Sequence, residues 1–330
     1  MRRAICFLMI LSLLQSQALA WSAGGHKIVA SIAFRQLTAE EQAKVVALLK
    51  EHPRFAQDFK AKMPEEIASG SEPEKNEWIF QQAAIWPDLA RGFPEGLQKK
   101  FHRAQWHYIN VPHFLTGTDR VALDGKLKLN LSLEAPESAV EGMNVVQTIR
   151  YARTILKSDD AEKQQKALML SWLMHTEGDL HQPLHSTALF SRFLFPNGDR
   201  GGNRVVTSQR GSLHSVWDSF PGGKIQFQTA RNRAIQLMND EELSALGAEA
   251  AKNLDEKTWL DESHLLAVTV AYDPEVIGRL RILEMSGDEG EFEPIKLSET
   301  YLKTGSAIAD RRVVQAGYRL GAILKETVAE

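Results

Sequence analysis

The chain has 330 residues, and its 39 Lys and Arg nearly balance its 42 Asp and Glu, for a formal net charge of −3. That balance excludes a histone-like or polybasic surface, so attraction for a polyanion has to come from local cations rather than a broad basic field. The one cysteine, Cys6, lies in a leader-like segment. The rest of the chain therefore has no disulfide, thiol nucleophile or thiolate ligand, and any metal would be held by His, Asp, Glu or backbone groups.

Residues 1–20 read as a secretory signal peptide. Arg2 and Arg3 make a positive start, residues 5–14 are apolar apart from Ser12, and Ala18-Leu19-Ala20 is a small-x-small cleavage signal. The stretch is too short for a membrane span, and no later run of about eighteen apolar residues follows. The expectation is an exported protein, periplasmic or secreted, that begins at Trp21 and does not insert into a membrane. Cleavage would remove two basic residues and no acidic ones, leaving 37 against 42. Residues 21–330 suffice for one large core and carry no low-complexity linker, which predicts a single domain.

Helix signals dominate from there. Thr38 to Glu41 is a capping box, and the apolar periodicity behind it ends near Pro53. Ser138 with Glu141 reads as a second box, leading into a face formed by Val140, Val145, Val146, Ile149, Ala152, Ile155 and Leu156. Asp159 with Glu162 reads as a third, opening the helix that carries Leu168, Trp172, His175 and Asp179. Residues 227–238, 241–251, 257–272 and 307–324 also have helical patterns. Strand evidence is thin. Leu127, Leu129, Leu131 and Leu133 alternate with polar residues as in a half-buried hairpin strand. Residues 292–295 add a short candidate that Pro294 confines to a sheet edge. Segments 70–75 and 287–290 read as surface loops, and 284–293 as a solvated acidic loop without a calcium-binding pattern. Pro196-Asn197-Gly198-Asp199 with Gly201-Gly202 makes a turn-rich loop. The fold class expected is mainly α, one helical domain with a small β-hairpin.

The chemistry concentrates in His175-Thr176-Glu177-Gly178-Asp179-Leu180-His181-Gln182-Pro183-Leu184-His185. Imidazole nitrogen with carboxylate oxygen is zinc chemistry. His175 and Asp179, four apart on a helix, share one face and can reach one metal; a capping or surface pair has the same local look. Gly178 lets another segment approach closely. Pro183 ends the helix and turns His185 elsewhere, toward a second metal. His181 fits a ligand, a supporting donor or a core histidine. His214 and Asp218 repeat the four-residue spacing, and with His185 they make a three-donor site with room for water or substrate, as catalytic zinc requires. Asp88, after Pro87, and His107 become ligands only if the cluster is real; singly they read as a turn cap and a core histidine. At the expected mature terminus, the amine and carbonyl of Trp21 can chelate one ion, and His26 can fold back onto it through the Ser22-Ala23-Gly24-Gly25 turn.

With these motifs the chain resembles the zinc-dependent single-strand nuclease family of the fungal and plant S1/P1 type, with zinc-dependent phospholipase C a more distant relative. The likeness covers essentially all of residues 21–330. It rests on the N-terminal Trp with its nearby His, Trp86-x-Asp88-x-x-Arg91, His107-Tyr108-Ile109, the His175 to His185 run, the Gly-Gly-Asn loop, and His214-x-x-x-Asp218. The resemblance implies a phospholipase C/P1 nuclease-like helical domain and three zinc ions. Asp88, His107, His175 and Asp179 would hold the first, Trp21, His26 and a bridging Asp179 the second, and His185, His214 and Asp218 the third. It places Arg91 beside the phosphate, Asp88 near the attacking water and Tyr108 under a nucleobase, and leaves His181 outside the ligands. Asn110 stands where fungal members have an acidic residue that contacts the base, so base preference does not carry over. The missing cysteines suggest a bacterial form. The activity implied is hydrolysis of single-stranded DNA and RNA to 5′-phosphate products, with 3′-nucleotidase activity, by a monomer; the alternative is a zinc-dependent phospholipase C.

Overall fold

The structure is a computed structural model, and it describes residues 21–286 and 293–329. The signal-peptide segment and the 287–290 loop lie outside the described residues, as does Phe292. Fourteen α-helices are present among the described residues. In chain order they are α1 (Ala23–Gln36), α2 (Ala39–Leu49), α3 (Glu65–Ala68), α4 (Glu72–Ala90), α5 (Glu95–Phe101), α6 (Gly117–Leu123), α7 (Val145–Lys157), α8 (Lys163–Leu180), α9 (Leu213–Ser219), α10 (Phe227–Met238), α11 (Glu241–Ala250), α12 (Glu256–Leu266), α13 (Pro274–Ser286) and α14 (Glu299–Leu324). The strands are four short pieces. β1 (Val111–Phe114) pairs in parallel with β2 (Thr187–Phe190), and β3 (Val206–Thr207) forms a small antiparallel hairpin with β4 (Gly211–Ser212). The fold is mainly α with a small β region, as expected.

Two apolar cores meet at the site. The larger joins α1, α2, α4, α7, α8, α10 and α14 around Ile28, Trp86, Trp172 and Leu320. The smaller gathers Leu184, Leu189, Trp217, Tyr272, Leu280 and Tyr301. Helices α1, α4 and α8 pack side by side in the larger core, which is why residues as far apart in sequence as His26, Asp88 and His175 meet. Close passage needs glycine: a Cβ on Gly178 would lie 2.8 Å from His26 Nδ1.

The capping box at Thr38 and Glu41 opens α2 as expected. The other two expected boxes are displaced. α7 starts at Val145 behind an Asn144–Gln147 box rather than at Ser138, and Glu162 precedes α8 without a side-chain cap. The 70–75 stretch is largely helix, because Ser71 and Glu74 form a box that opens α4. Residues 127–133 are not a strand. Their carbonyls are taken by side chains of α7 and its cap: Asn144 Nδ2 donates to Asn130 O (3.1 Å) and Ser132 O (2.8 Å), and Arg150 Nη1 donates to Leu133 O (2.9 Å). Of the four leucines only Leu133 packs against the larger core, Leu131 is exposed, and the hydrogen bonds go to side chains instead of a ladder. Ile295 makes one bridge to Thr207. Glu284 corrects the solvated acidic loop: it ends inside α13, is buried, and accepts from Phe193 N and Leu194 N at 3.0 Å each.

Candidate metal centre

Three groups of donors converge: His26, His175 and Asp179; Asp88, His107 and His175; and His185, His214 and Asp218, each with ligand atoms within 4.8 Å of one another. Hydrogen bonds to backbone carbonyls decide which nitrogen each ring offers. A carbonyl only accepts, so the nitrogen facing it carries the proton. His175 Nδ1 donates to Ala84 O (2.7 Å), His185 Nδ1 to His107 O (2.6 Å), and His214 Nδ1 to Gly201 O (2.6 Å). Each keeps its Nε2 lone pair for the cluster, the supporting arrangement that metal-binding histidines commonly have.

His175 therefore has one nitrogen to give, although it belongs to two groups. The atom pair that can serve two ions is the Asp179 carboxylate. Its Oδ1 lies 3.3 Å from His26 Nε2, while its Oδ2 lies 3.1 Å from His107 Nδ1 and 3.3 Å from His175 Nε2. His107 Nδ1 and His175 Nε2 are 2.9 Å apart, a few tenths of an ångström inside the ~3.3 Å separation of two nitrogens on one tetrahedral zinc. Asp88 Oδ1 stands 3.9 Å from His175 Nε2 and accepts from Arg91 Nη2 at 3.1 Å. In the third group His214 Nε2 is 3.5 Å from Asp218 Oδ2, and Gln182 Nε2 donates to Asp218 Oδ1 at 2.9 Å.

The electrostatics suit cations. Burial drives the carboxyl pKa of Asp179 and of Asp218 well up. It drives His107 and His185 well below the usual imidazole value and His26 down to about 4. Neutral imidazoles present lone pairs, and two buried carboxylates become anionic only with compensating positive charge. Both His26 nitrogens, Asp179 Oδ1 and His185 Nε2 are buried with no hydrogen-bond partner among the described residues. The donor set therefore fits zinc, with nitrogen and oxygen in each group and no sulfur.

Trp21 is fully buried against Gly25, beside His26. Ser22 N donates to Asp218 O (3.0 Å), so the start of α1 is tied to the third group. Tyr108 keeps 37% of its surface exposed next to His107, and Asn110 is half-buried just before β1. His181 turns away from all three groups. Its Nε2 accepts from Arg319 Nη1 (2.8 Å) and its Nδ1 donates to Glu177 O (2.8 Å). Glu177 is on the same side, its carboxyl pushed up to about 8 by burial. The tryptophans act as walls: Trp172 meets the His107 ring edge-on at 5.2 Å. A cavity of about 690 Å³ lined by Phe101, His102, Trp106 and Trp172 includes no clustered donor.

A sequence profile of the S1/P1 nucleases matches residues 21–329. The chain belongs to the S1/P1 nuclease family. Its relatives include Endonuclease 4 of Arabidopsis thaliana, 23% identical over 328 residues and covering 98% of this chain and 94% of the relative. Endonuclease 3 of the same plant is 25% identical over the same shares, and Endonuclease 1 is 24% identical over 84% of each chain. Family and metal-binding clusters together make this S1/P1 nuclease a zinc-dependent nuclease-type hydrolase. Sequence reasoning missed its carbonyl orienters, Ala84, His107 and Gly201, because every residue carries a carbonyl. It also missed Gln182, whose place between His181 and Pro183 was a signal within reach.

Proposed function

We propose that this chain hydrolyses single-stranded DNA and RNA to 5′-phosphate products, with 3′-nucleotidase activity at the same site, outside the cytoplasm after cleavage behind Ala20. The observation that carries the reading is Asp179, whose two oxygens face two separate donor sets. Asp88, His107, His175 and Asp179 would hold one zinc; Trp21, through its freed amine and carbonyl, with His26 and Asp179 a second; and His185, His214 and Asp218 a third. When bound, zinc supplies Lewis-acid charge to a phosphoryl group and acidifies water toward a pKa of about 7.

The chain's own groups do the rest. Arg91 presents a guanidinium beside Asp88, where it can pair with phosphate oxygens in a fork. Asp88 is the least enclosed carboxylate of the clusters, its side chain 12% exposed, so it can accept a hydrogen bond from the attacking water and orient it. The exposed face of Tyr108 offers a platform for an unstacked base, and a duplex, whose bases are already stacked, is cut less well. Buried walls such as Trp172 keep the donors rigid and dry.

Chelation should abolish cleavage of denatured DNA, and added Zn²⁺ should restore it. Full-rate cleavage by the metal-free protein would overturn the reading, and so would hydrolysis of phosphatidylcholine in preference to single-stranded DNA.

A further inference from the structure

Arg200 has a φ of 59°, in the left-handed region that side chains with a Cβ avoid. Its neighbours Gly198, Gly201 and Gly202 also have positive φ, but there glycine removes the conflict. An arginine stands where a glycine would fit better, and residues held in such backbone conformations cluster at ligand clamps, active sites and switch regions.

The loop is fixed over the third donor group. A Cβ on Gly201 would lie 2.3 Å from Leu184 O, so this backbone rests directly on the segment leading to His185, and Gly201 O orients His214. Tyr108 reaches the same segment from the other direction. His185 Nδ1 donates to His107 O, and Ile109 N donates to His185 O at 2.8 Å. The segments that carry Arg200 and Tyr108 therefore both rest on the stretch at Leu184 and His185. The Arg200 charge is close enough to oppose the burial that raises the Tyr108 hydroxyl pKa. Arg200 is exposed, and its guanidinium has no hydrogen-bond or ion-pair partner among the described residues. Arg91, by contrast, is paired with Asp88.

We propose that Arg200 binds a backbone phosphate of the single-stranded substrate, one linkage from the scissile one, while the base between them lies on Tyr108. This rests on the nuclease reading above. A planar, permanently charged fork suits a phosphate. In a chain of net negative charge such a contact also supplies the sequence-independent attraction a polyanion needs. It makes Arg200 a residue that favours strands over mononucleotides, with Arg91 serving the linkage that is cut.

The test compares a short mixed-sequence oligonucleotide with a dinucleotide that has one phosphodiester. Arg200→Ala should raise the oligonucleotide KM about tenfold, hold kcat within about twofold, and reduce the slope of log KM against log salt by about one. Its effect on the dinucleotide KM should be several times smaller. Arg200→Gly, which suits the backbone, should show the same rise without lowering the thermal midpoint. An unchanged oligonucleotide KM, an equal loss on both substrates, a loss confined to one base, or normal KM in the glycine variant each overturns the assignment. Arg91→Ala should impair both substrates. If the unaltered zinc-loaded protein cleaves neither, the nuclease reading itself has failed, which is a separate result.

Discussion

In the first two donor groups most side chains come from three long helices, His26 from the first turn of α1, Asp88 from the last turn of α4 and His175 with Asp179 from the C-terminal turns of α8, while His107 ends a short 3-10 turn; in the third they come from a 3-10 turn at His185 and the seven-residue α9. The first two share His175, and the two oxygens of Asp179 face one donor set each. The third shares no donor with them and is held by a glycine-rich loop whose carbonyl orients His214. Beneath α8 lies a charged network: Arg312 Nε donates to His181 O, and Glu262 receives both Arg312 and Arg319. Beneath the third group lie Asp199, which accepts from Leu189 N and Gly202 N, and the Tyr272 hydroxyl that donates to it. The lesson is that one mutation can empty the α8 pair together, while the loop group should fail alone.

The largest expected effect separates the two directly. Asp179→Asn keeps one acceptor oxygen and loses the bridge, so zinc per mole should fall by more than one ion and activity by roughly a thousandfold. His214→Ala should lose one ion only. A loss of one ion or none in the asparagine variant would count against the bridge. Gly201→Ala comes next. Its φ of 61° and the 2.3 Å approach to Leu184 O should cost about 2–3 kcal/mol in thermal unfolding and weaken zinc at the third group while sparing the other two. Equal zinc loss across all three groups would show that the regions are not independent.

The smallest effect tests the α8 foundation. Arg319 and Arg312 hold the Glu262 carboxyl down to about 2, against burial. A depressed carboxylate pKa contributes stability above its unfolded value near 4.5, and that contribution is lost as pH falls toward 2. Glu262→Gln should therefore lower stability by about 2 kcal/mol at pH 7, less than a fully buried pair because Glu262 is partly exposed. The gap from the unaltered protein should close as pH falls through that window. A pH-independent gap would assign the effect to packing.

Much of the helical architecture was legible because apolar period and capping residues act locally, as α2 and α10 demonstrate. The misplaced start of α7 has the same origin. Ser138 and Glu141 have the chemistry of a box, but Asn144 and Gln147 also bind the 130–134 segment and so win the helix start. The Leu127 to Leu133 alternation failed as a strand because the backbone there bonds to the side chains of Asn144 and Arg150, which alternation does not report, and Leu131 is exposed. Of the expected site, the geometry brings together Asp88, His107, His175, Asp179, His26 and, separately, His185, His214 and Asp218. Glu177 sits within the same motif yet belongs to another network, because i+2 on a helix faces away from i and i+4.

The sequence by itself determined the kind of donors, the absence of thiols after Cys6, and the two His-x-x-x-Asp helical pairs, since these follow from composition and the 3.6-residue turn. Only the tertiary structure decided which nitrogen of each ring is left to bind, that Asp179 faces two donor sets, and that the Gly201 and Ile109 backbones both rest on the stretch at Leu184 and His185. Those outcomes depend on carbonyls and backbone angles contributed by segments distant in sequence, and such groups leave no mark in the order of side chains.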